Sequence, residues 1–460
     1  MKKTIIAGTL IFAIVASIPF ASGLLMERTV RNAFADINSM YATTGFDYSL
    51  EIISYDRGYS TSDIEWKINL GALKGLYPID EVVFEEHASH GFAGVVSTTS
   101  LEKNLWFADF VENQLQGRNP IHISSKYDLS GKIEAAVALD AFSVNVEDET
   151  IDVKPGRMVT TTDHNLKHFS STGNWQGLSV GETLAVGMMT MKSELEKIST
   201  YVWDGNMSFG ANDIKAREND ETVELQAMRC EYLLDLNDDQ SSMSGEARFS
   251  VDGMHSNNLT VDHASVCLAT KGLNVEGYEE FMRMYTDAMS AVVGNMAAFD
   301  GDPEKAKQIM NRQMAAIGFQ MVAAYEKLMK EGLELRISDL LVNLPAGDIR
   351  GDITLRLLKD MTFMQFAPLV AQPELLLDIF YLKSDLSLPV NLTGENPGLL
   401  TPVYPGMHTG LFVKNGENLI HQAETINGRL MVNSEEVVLS PASKIQPTPA
   451  SIDDTLALRW

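Results

Sequence analysis

Alternating polar and apolar side chains recur along most of this 460-residue chain. From Leu129 to Ala141 every second residue is apolar or glycine, and from Phe142 to Val146 the apolar residues take the opposite phase. Alternate side chains of a β-strand point to opposite faces, so this period predicts strands buried on one face, and each change of phase predicts a bulge or bend. The same alternation recurs at Ile52–Tyr55, Ile64–Leu70, Val223–Tyr232 (with another change of phase near Met228), Ala247–Val251, Leu333–Ile337 and Ile349–Leu357.

One dipeptide predicts a particular turn. Asn427-Gly428 separates the strand-like segments LIHQAETI and RLMVNSEEVVL. Asn-Gly favours the two-residue hairpin turn, because both residues readily adopt positive φ. We therefore expect a hairpin in this part of the chain.

A helical period replaces the alternation between Glu276 and Glu331. The first expected helix runs from Tyr278 to Met296, and Asp302-Pro303-Glu304 is typical of the start of a second. A methionine-rich face of this kind adapts to varied ligands, but it more commonly packs on the core of a sheet. The apolar face of the second helix comprises Met310, Met314, Ile317, Met321 and Leu328.

The N-terminus predicts export. Lys2 and Lys3 precede 23 uncharged residues, Thr4 to Met26, which would span about 34 Å as a helix. A retained membrane anchor is the preferred interpretation, and a signal peptide cleaved after Ala21-Ser22-Gly23 is the alternative. In either case the lysines favour a cytoplasmic N-terminus, which places the main body outside the cytoplasm.

Together these patterns predict an α+β fold. An N-terminal membrane helix precedes long, twisted, mainly antiparallel β-sheet, and a helical pair packs on one face of that sheet. The expected regions are 1–26 (signal anchor or signal peptide), 27–275 (β-rich), 276–332 (helical pair), 333–440 (β-rich) and 441–460 (disordered tail).

The charge of the chain disfavours one class of partner. Lysine and arginine number 36 against 62 aspartates and glutamates, which gives a formal net charge of −26. Such a surface repels phosphate backbones, and no run of basic residues compensates for it. We expect no nucleic-acid partner.

The only two cysteines are Cys230 and Cys267, and both lie in strand-like segments. In an oxidising compartment they could form a disulfide. Two buried free thiols are an equally good interpretation of the sequence. Neither a redox motif nor a cysteine-rich zinc site is indicated.

Catalytic and metal-binding motifs are weak. Gly177-Leu-Ser-Val-Gly181 matches G-x-S-x-G, but a nucleophile elbow requires a buried strand before Ser179 and a helix after it, and the flanking residues fit neither requirement. His87 and His90 lie in a possible ligand cluster, as do His164 and His168, but HExxH is absent and neither segment is helix-like. We therefore expect no catalytic residue, no metal site and no cofactor.

The segment SYDRGYSTS predicts a constrained turn between two strands. Asp56-Arg57-Gly58 is typical of a tight turn in which Gly58 has positive φ, and Tyr55 and Tyr59 flank it. A functional Arg-Asp pair is the alternative to a hairpin corner that sets the strand register.

Several segments in order resemble one bacterial family. They are the N-terminal anchor, SYDRGYSTSDIEW with its Tyr55-Asp56-Arg57-Gly58 turn, and VVFEEHASHGFAG with its His90-Gly91-Phe92 step; the later ones are LTVDHASVCLATKGLNVEGYEEF, LPAGDIRGDITLRL and INGRLMVNSEEVVL. This order resembles the YdgA-like bacterial envelope proteins, a family of unknown function (DUF945). The resemblance implies an inner-membrane-anchored periplasmic α+β protein, and it supplies no catalytic residues.

The function expected from these observations is non-enzymatic. A long sheet with one apolar face must cover it with helices, a partner chain or a ligand. We expect a surface that binds an envelope lipid or a protein partner, self-association being the simplest variant. A periplasmic hydrolase using Ser179 or the His87–His90 region is the alternative.

Overall fold

The computed structural model describes residues 2–42, 48–71, 79–146, 149–218, 221–257, 259–296, 322, 324–365, 369, 372–392 and 410–439. Helix α1 (Lys2–Ala42) begins the chain and contains Pro19. Within α1, side chains are described from Ile18 to Ser39. In the part of the molecule open to this test, no helix combines the length and hydropathy needed to cross a membrane.

A single antiparallel sheet of 20 strands dominates the described residues. From β1 to β23 each strand pairs with the next main-sheet strand along the chain, but β24 pairs with β26, whose far edge pairs with both β25 and β27. The strands are β1 (Ser49–Arg57), β2 (Thr61–Asn69), β3 (Glu81–Gly91), β4 (Gly94–Ser100), β5 (Ile121–Asp128), β6 (Lys132–Leu139), β9 (Gly156–Asp163), β10 (His168–Trp175), β13 (Met189–Lys197), β14 (Trp203–Ala211), β17 (Met228–Leu236), β18 (Ser242–Val251), β21 (His263–Asn274), β22 (Glu334–Leu344), β23 (Gly347–Leu357), β24 (Phe380–Pro389), β25 (Val413–Asn415), β26 (Asn418–Ile426), β27 (Arg429–Val432) and β28 (Glu435–Val437).

A second sheet of eight short strands is built from insertions between main-sheet strands. After every second main-sheet strand from β6 to β18 the chain crosses to this sheet, adds two strands and returns. Its spatial order follows the chain order. The strands are β7 (Phe142–Val146), β8 (Glu149–Val153), β11 (Leu178–Val180), β12 (Leu184–Val186), β15 (Ile214–Glu218), β16 (Glu221–Gln226), β19 (Gly253–Ser256) and β20 (Thr260–Val261).

The predicted changes of phase coincide with these crossings. The first lies between Leu139, the end of β6, and Phe142, the start of β7. The second lies at Ala227, which has φ of 47° and separates β16 from β17. The expected bends are confirmed, and each of them transfers the chain from one sheet to the other.

The expected Asn-Gly hairpin is also confirmed. Asn427 and Gly428 have φ of 53° and 74°, and they join β26 to β27 through the pair Ile426–Arg429. Positive φ at both central residues is the requirement of the type I′ turn.

The remaining helices lie at the ends of strands. They are α2 (Leu105–Leu115), α3 (Val275–Met296) and α4 (Leu376–Ile379), with 3-10 turns at Phe363–Gln365 and Pro373–Leu375. The first helix of the expected pair is confirmed as α3. Most of the second helix, including its predicted start at Asp302, lies outside the described residues, as do the tail from 440 onward and residues 393–409 of the proline-rich segment. Where the two chain segments do meet, the rings of Phe281 and Tyr325 pack edge to face at 5.6 Å.

The strands on both sides of the helical pair belong to the same sheet. β21, which precedes α3, pairs with β22 along most of its length, with one register shift between Ser265 and Cys267; Leu268, for example, lies opposite Ile337. The β-rich regions predicted before residue 276 and after residue 332 are therefore continuous in space.

Three apolar clusters hold the described parts together. The first joins α1 to the first strands through Met26, Val30, Ile64, Ala88 and Val95. The other two lie among the last long strands, around Leu388 and Leu419 and around Leu357 and Met361.

The packing of α1 makes a testable prediction about stability. Met26 is fully buried, whereas its neighbour Leu25 is 38% exposed. Met26→Ala removes side-chain atoms from a closed core, so we expect it to lower the free energy of unfolding by about 2–5 kcal/mol. Leu25→Ala should change it by less than about 1 kcal/mol. Denaturant unfolding of the full chain in detergent measures both values, and equal effects would show that α1 does not pack on the sheet.

Candidate functional site

The main sheet has one face that is lined mostly by apolar side chains. Cross-strand pairing aligns Met207 with Tyr232, Tyr232 with Ala247, and Ala247 with Leu268. The same face continues through Ile337. Because side chains alternate along each strand, the neighbours of these residues lie on the opposite face.

The opposite face is charged. Arg229 makes a two-pronged ion pair with Asp252, its nitrogens lying 3.0 and 2.8 Å from the carboxylate oxygens. Lys103 lies 2.6 Å from Glu65 and 3.1 Å from Glu85. These groups are accessible to solvent, so this face carries much of the acidic charge of the chain without desolvating it.

A row of small side chains crosses the middle of the apolar face. Register places these residues opposite one another on eight consecutive main-sheet strands, and the serines at positions 62, 97, 171 and 193 are buried. Small side chains that are buried while larger neighbours stay exposed form the floor of a groove. The row comprises Ser62, Ala88, Ser97, Ser125, Ala135, Thr160, Ser171 and Ser193.

Apolar side chains line this groove beyond the first strands. Met158 is 41% exposed, and farther along the face Leu268 is 43% exposed. An apolar depression of about 280 Å³ opens here. Its lining includes Val137, Met158, Trp175, Met189, Met191 and Phe209. A contiguous exposed patch of this kind typically marks a binding surface.

Helix α1 occupies the start of the same groove. Met26 and Val30 of the helix contact Ile64 on β2 and Val95 on β4. Phe34 packs edge to face on Trp66, with the ring centroids 5.3 Å apart. The groove therefore begins beneath a helix and continues without such a cover.

Polar groups are buried where α1 meets the sheet. The Ser62 hydroxyl lies 2.9 Å from His90 Nε2, and Arg57 Nε lies 3.1 Å from Glu27 Oε2 on the helix. The Arg57 guanidinium also stacks 4.7 Å from the Phe20 ring centroid. We call these polar residues (Ser62, His90, Arg57 and Glu27), together with Tyr55, Trp66, Glu86 and Ser97, the polar cluster.

Incomplete hydrogen bonding sets the polar cluster apart. Among the described residues, every buried side-chain nitrogen or oxygen without a hydrogen bond of good geometry belongs to it. Such atoms are rare in proteins, because each costs free energy when it leaves water unpaired. They are Tyr55 Oη, Arg57 Nη1, Trp66 Nε1, Glu86 Oε1, His90 Nδ1 and Ser97 Oγ.

Burial shifts the pKa values of these groups toward their neutral forms. Desolvation raises the pKa of Glu86, and the nearby Ser97 and Trp66 oppose that shift. Desolvation also lowers the pKa of His90 and raises the pKa of Tyr55 to about 12. Neutral forms of Glu86, His90 and Tyr55 are compatible with the apolar contacts of Met26 and Val30 that close over them.

The two family-like motifs meet in this cluster. Tyr55 and Arg57 come from the end of β1, and His90 and Gly91 from the end of β3. Gly91 O lies 3.4 Å from Ser22 Oγ of α1. The motifs are far apart in the sequence, and antiparallel pairing through β2 brings them together.

One detail of the predicted turn is wrong. Gly58 does not have positive φ, because its N–H donates to Thr61 O at 2.8 Å and closes a turn that reaches Thr61. The hairpin between β1 and β2 is present, with Arg57 opposite Ser62. Asp56 points to the charged face, so it makes no functional pair with Arg57 in the polar cluster.

The structure places His87 and His90 on opposite faces of β3, whereas His164 and His168 line the same surface depression. His87 lies on the charged face beside Asp63, whereas His90 lies beneath α1, because an odd spacing along a strand places residues on opposite faces. His164 lies in the β9–β10 turn, and His168 pairs with Glu196 on β13. No metal-binding group of three or more ligands occurs among the described residues.

Ser179 and the cysteines also have defined positions. Ser179 lies in β11, opposite Asp152 and Ala185, as expected of a serine in an ordinary strand. Cys230 and Cys267 are both free thiols. Cys230 on β17 lies opposite Phe249 of β18, on the apolar face of the sheet. Cys267 on β21 lies opposite Arg248 of β18, on the charged face. Because β18 lies between the two cysteines, they cannot form a disulfide.

Two features of the site were missed in the sequence. The burial of Glu86 was not predicted, although its phase with Ala88 and His90 marks the buried face. Ser384 and His421 were also missed. Ser384 Oγ lies 2.8 Å from His421 Nε2, and His421 Nδ1 lies 2.7 Å from Leu411 O; they are too far apart in the sequence for spacing to connect them.

The comparisons with known proteins agree with the motif order. A family model described as a bacterial protein of unknown function (DUF945) matches residues 1–396. The chain therefore belongs to the DUF945 family of bacterial proteins. Searches of curated proteins and of solved structures found no significant match.

The raised pKa of Glu86 predicts a pH dependence. The folded chain holds this proton more tightly than the unfolded chain, so the resulting stability is complete below about pH 4.5 and is lost as pH rises through the folded-state pKa. We expect Glu86→Gln, which stays neutral, to raise the unfolding midpoint at pH 8 relative to the parent chain and to have less effect at pH 4.5.

Glu85→Gln is the matched control. Glu85 is adjacent on β3 but lies on the charged face beside Lys103. His90 has the opposite pH dependence, since its lowered pKa means that stability is lost as pH falls, and neither variant removes it. Identical pH profiles for the two glutamine variants would contradict the assignment to Glu86.

Proposed function

We propose that this protein is a non-enzymatic binding protein of the bacterial envelope, anchored in the inner membrane by the first part of α1. In this proposal the main sheet lies in the periplasm, and its groove binds the acyl chains of an envelope lipid. The anchor is supported by Lys2 and Lys3 followed by the uncharged segment Thr4–Met26.

The observation that carries the proposal is the exposed part of the groove. Burial of apolar surface is worth about 25 cal/mol per Å², so an uncovered face of this extent favours an occupant. Beyond α1 the groove runs across the strands, and its floor from Ser125 to Ser193 spans about 19 Å at the usual strand spacing. An elongated, flexible and apolar ligand fits that shape.

Lipid is favoured over a protein partner by position and by chemistry. α1 fills the first part of the groove and runs directly into the uncharged N-terminal segment, so the open part of the groove begins next to the proposed anchor. Methionines contribute strongly to the lining, notably Met158, Met189 and Met191. Their unbranched and polarisable side chains adapt to disordered chains better than to one fixed protein surface.

A hydrolase is the alternative, and one observation favours it. The hydrogen bonds of His421 to Ser384 and to Leu411 O resemble a nucleophile and base held by a third group. Ser384 is buried, however, so a substrate must displace its cover. Labelling of Ser384 by a fluorophosphonate, abolished by Ser384→Ala, would support the hydrolase; we expect no labelling.

Site-specific photocrosslinking tests the lipid proposal. A benzophenone amino acid at Met207 faces the groove, whereas the same group at the adjacent Asn206 faces the charged side. Irradiation of whole cells should attach phospholipid at position 207 and little at position 206. Crosslinks at 207 to a second copy of this chain or to another protein, without lipid, would contradict the proposal.

A further inference from the structure

The length of α1 limits how far the sheet can stand from the membrane. This inference rests on the proposed function in one respect, namely that the uncharged segment of α1 is embedded in a bilayer. Thr4–Ile18, which precedes the packed part of the helix, is about 22 Å long at 1.5 Å per residue. The hydrocarbon core is about 30 Å thick, so about five further residues, Pro19–Gly23, are needed to span it.

Those residues already contact one end of the sheet. Pro19 and Ser22 are buried, and Ser22 Oγ lies 3.4 Å from Gly91 O in β3. A Cβ atom on Gly23 would lie 2.1 Å from His90 Cε1, so the helix and β3 approach as closely as glycine permits. The end of the sheet that holds the β3–β4 turn must therefore lie at the bilayer surface.

Three neighbouring turns at this end expose apolar side chains. Tyr59 lies in the β1–β2 turn, Phe92 in the β3–β4 turn and Leu129 in the β5–β6 turn. They are 56%, 60% and 51% exposed. Alternate connections of an antiparallel sheet lie at the same end, so these turns follow one another at intervals of about 10 Å.

The composition changes farther along the same end. The β9–β10 turn exposes His164 and Asn165, and the β17–β18 turn exposes Asp238 and Asp239. Exposed apolar residues thus occupy the three turns beside α1 and acidic residues the β17–β18 turn, whereas the more distant β23–β24 connection again exposes Met364. Tyrosine and phenylalanine suit the interface between water and lipid, where aspartate is unfavourable.

We propose that Tyr59, Phe92 and Leu129 form a membrane-contacting rim that inserts into the interfacial region of the bilayer. Arg57 fits that depth, because its guanidinium is paired with Glu27 and stacks on Phe20. The rim and α1 together fix the sheet with one end of its strands against the membrane.

Fluorescence quenching in vesicles tests the rim. The full chain is reconstituted in vesicles of phosphatidylethanolamine and phosphatidylglycerol, with an environment-sensitive fluorescent amino acid at Phe92. Matched chains carry it at Phe12, inside the uncharged segment, and at Asp238, in the distant turn. We expect the probes at 12 and 92 to show blue-shifted emission and to lose most of it to nitroxide-labelled lipid, whereas the probe at 238 is quenched by aqueous iodide.

Two other outcomes would overturn the proposal, and they differ. If the probe at 12 responds to lipid but the probe at 92 behaves like that at 238, the anchor stands and the rim does not exist. If neither 12 nor 92 responds to lipid, the anchor fails and the rim fails with it. A circular dichroism spectrum matching that of the parent chain confirms that each labelled chain is folded.

Discussion

The need to cover one apolar face of a very long sheet governs this molecule. Antiparallel pairing satisfies the backbone groups of 20 strands, but it does nothing for the side chains on the sheet's apolar face. α1 covers the first strands, and the clusters around Leu388 and Met361 cover part of the last. Between them the groove stays open, so the interaction that builds the fold leaves part of the apolar face uncovered. The proposed function follows from this incomplete cover.

Covering the first strands with α1 buries the polar groups of the polar cluster, which lowers the stability of the fold. Its unpaired atoms and its displaced pKa values all lie where α1 closes over β1–β4. A core chosen for stability alone would hold leucine or valine at the position of Glu86. Because desolvation raises the pKa of Glu86 and lowers that of His90, the stability of the folded chain depends on the protonation of these two residues.

Much of the fold could be predicted from the sequence, because strand alternation is local. The changes of phase at Leu139–Phe142 and near Met228 marked bends, and Asn427-Gly428 marked a hairpin. The sequence could not show that each bend transfers the chain between two sheets, since that depends on pairing between distant strands. For the same reason the approach of Arg57, Glu86 and His90 beneath α1 was not predicted. The φ of Gly58 was predicted wrongly, because the turn extends to Thr61 and needs no left-handed residue.

The central claim is that the open groove holds lipid. Native mass spectrometry of the full chain tests this claim most directly. The protein is extracted from its own membrane into a lipid-free detergent and released from the detergent in the gas phase. The account predicts a stoichiometric added mass that dissociates as phospholipid at higher collision energy than lipid bound only around the N-terminal helix. A bare polypeptide mass, with lipid lost as readily as detergent, would contradict the account.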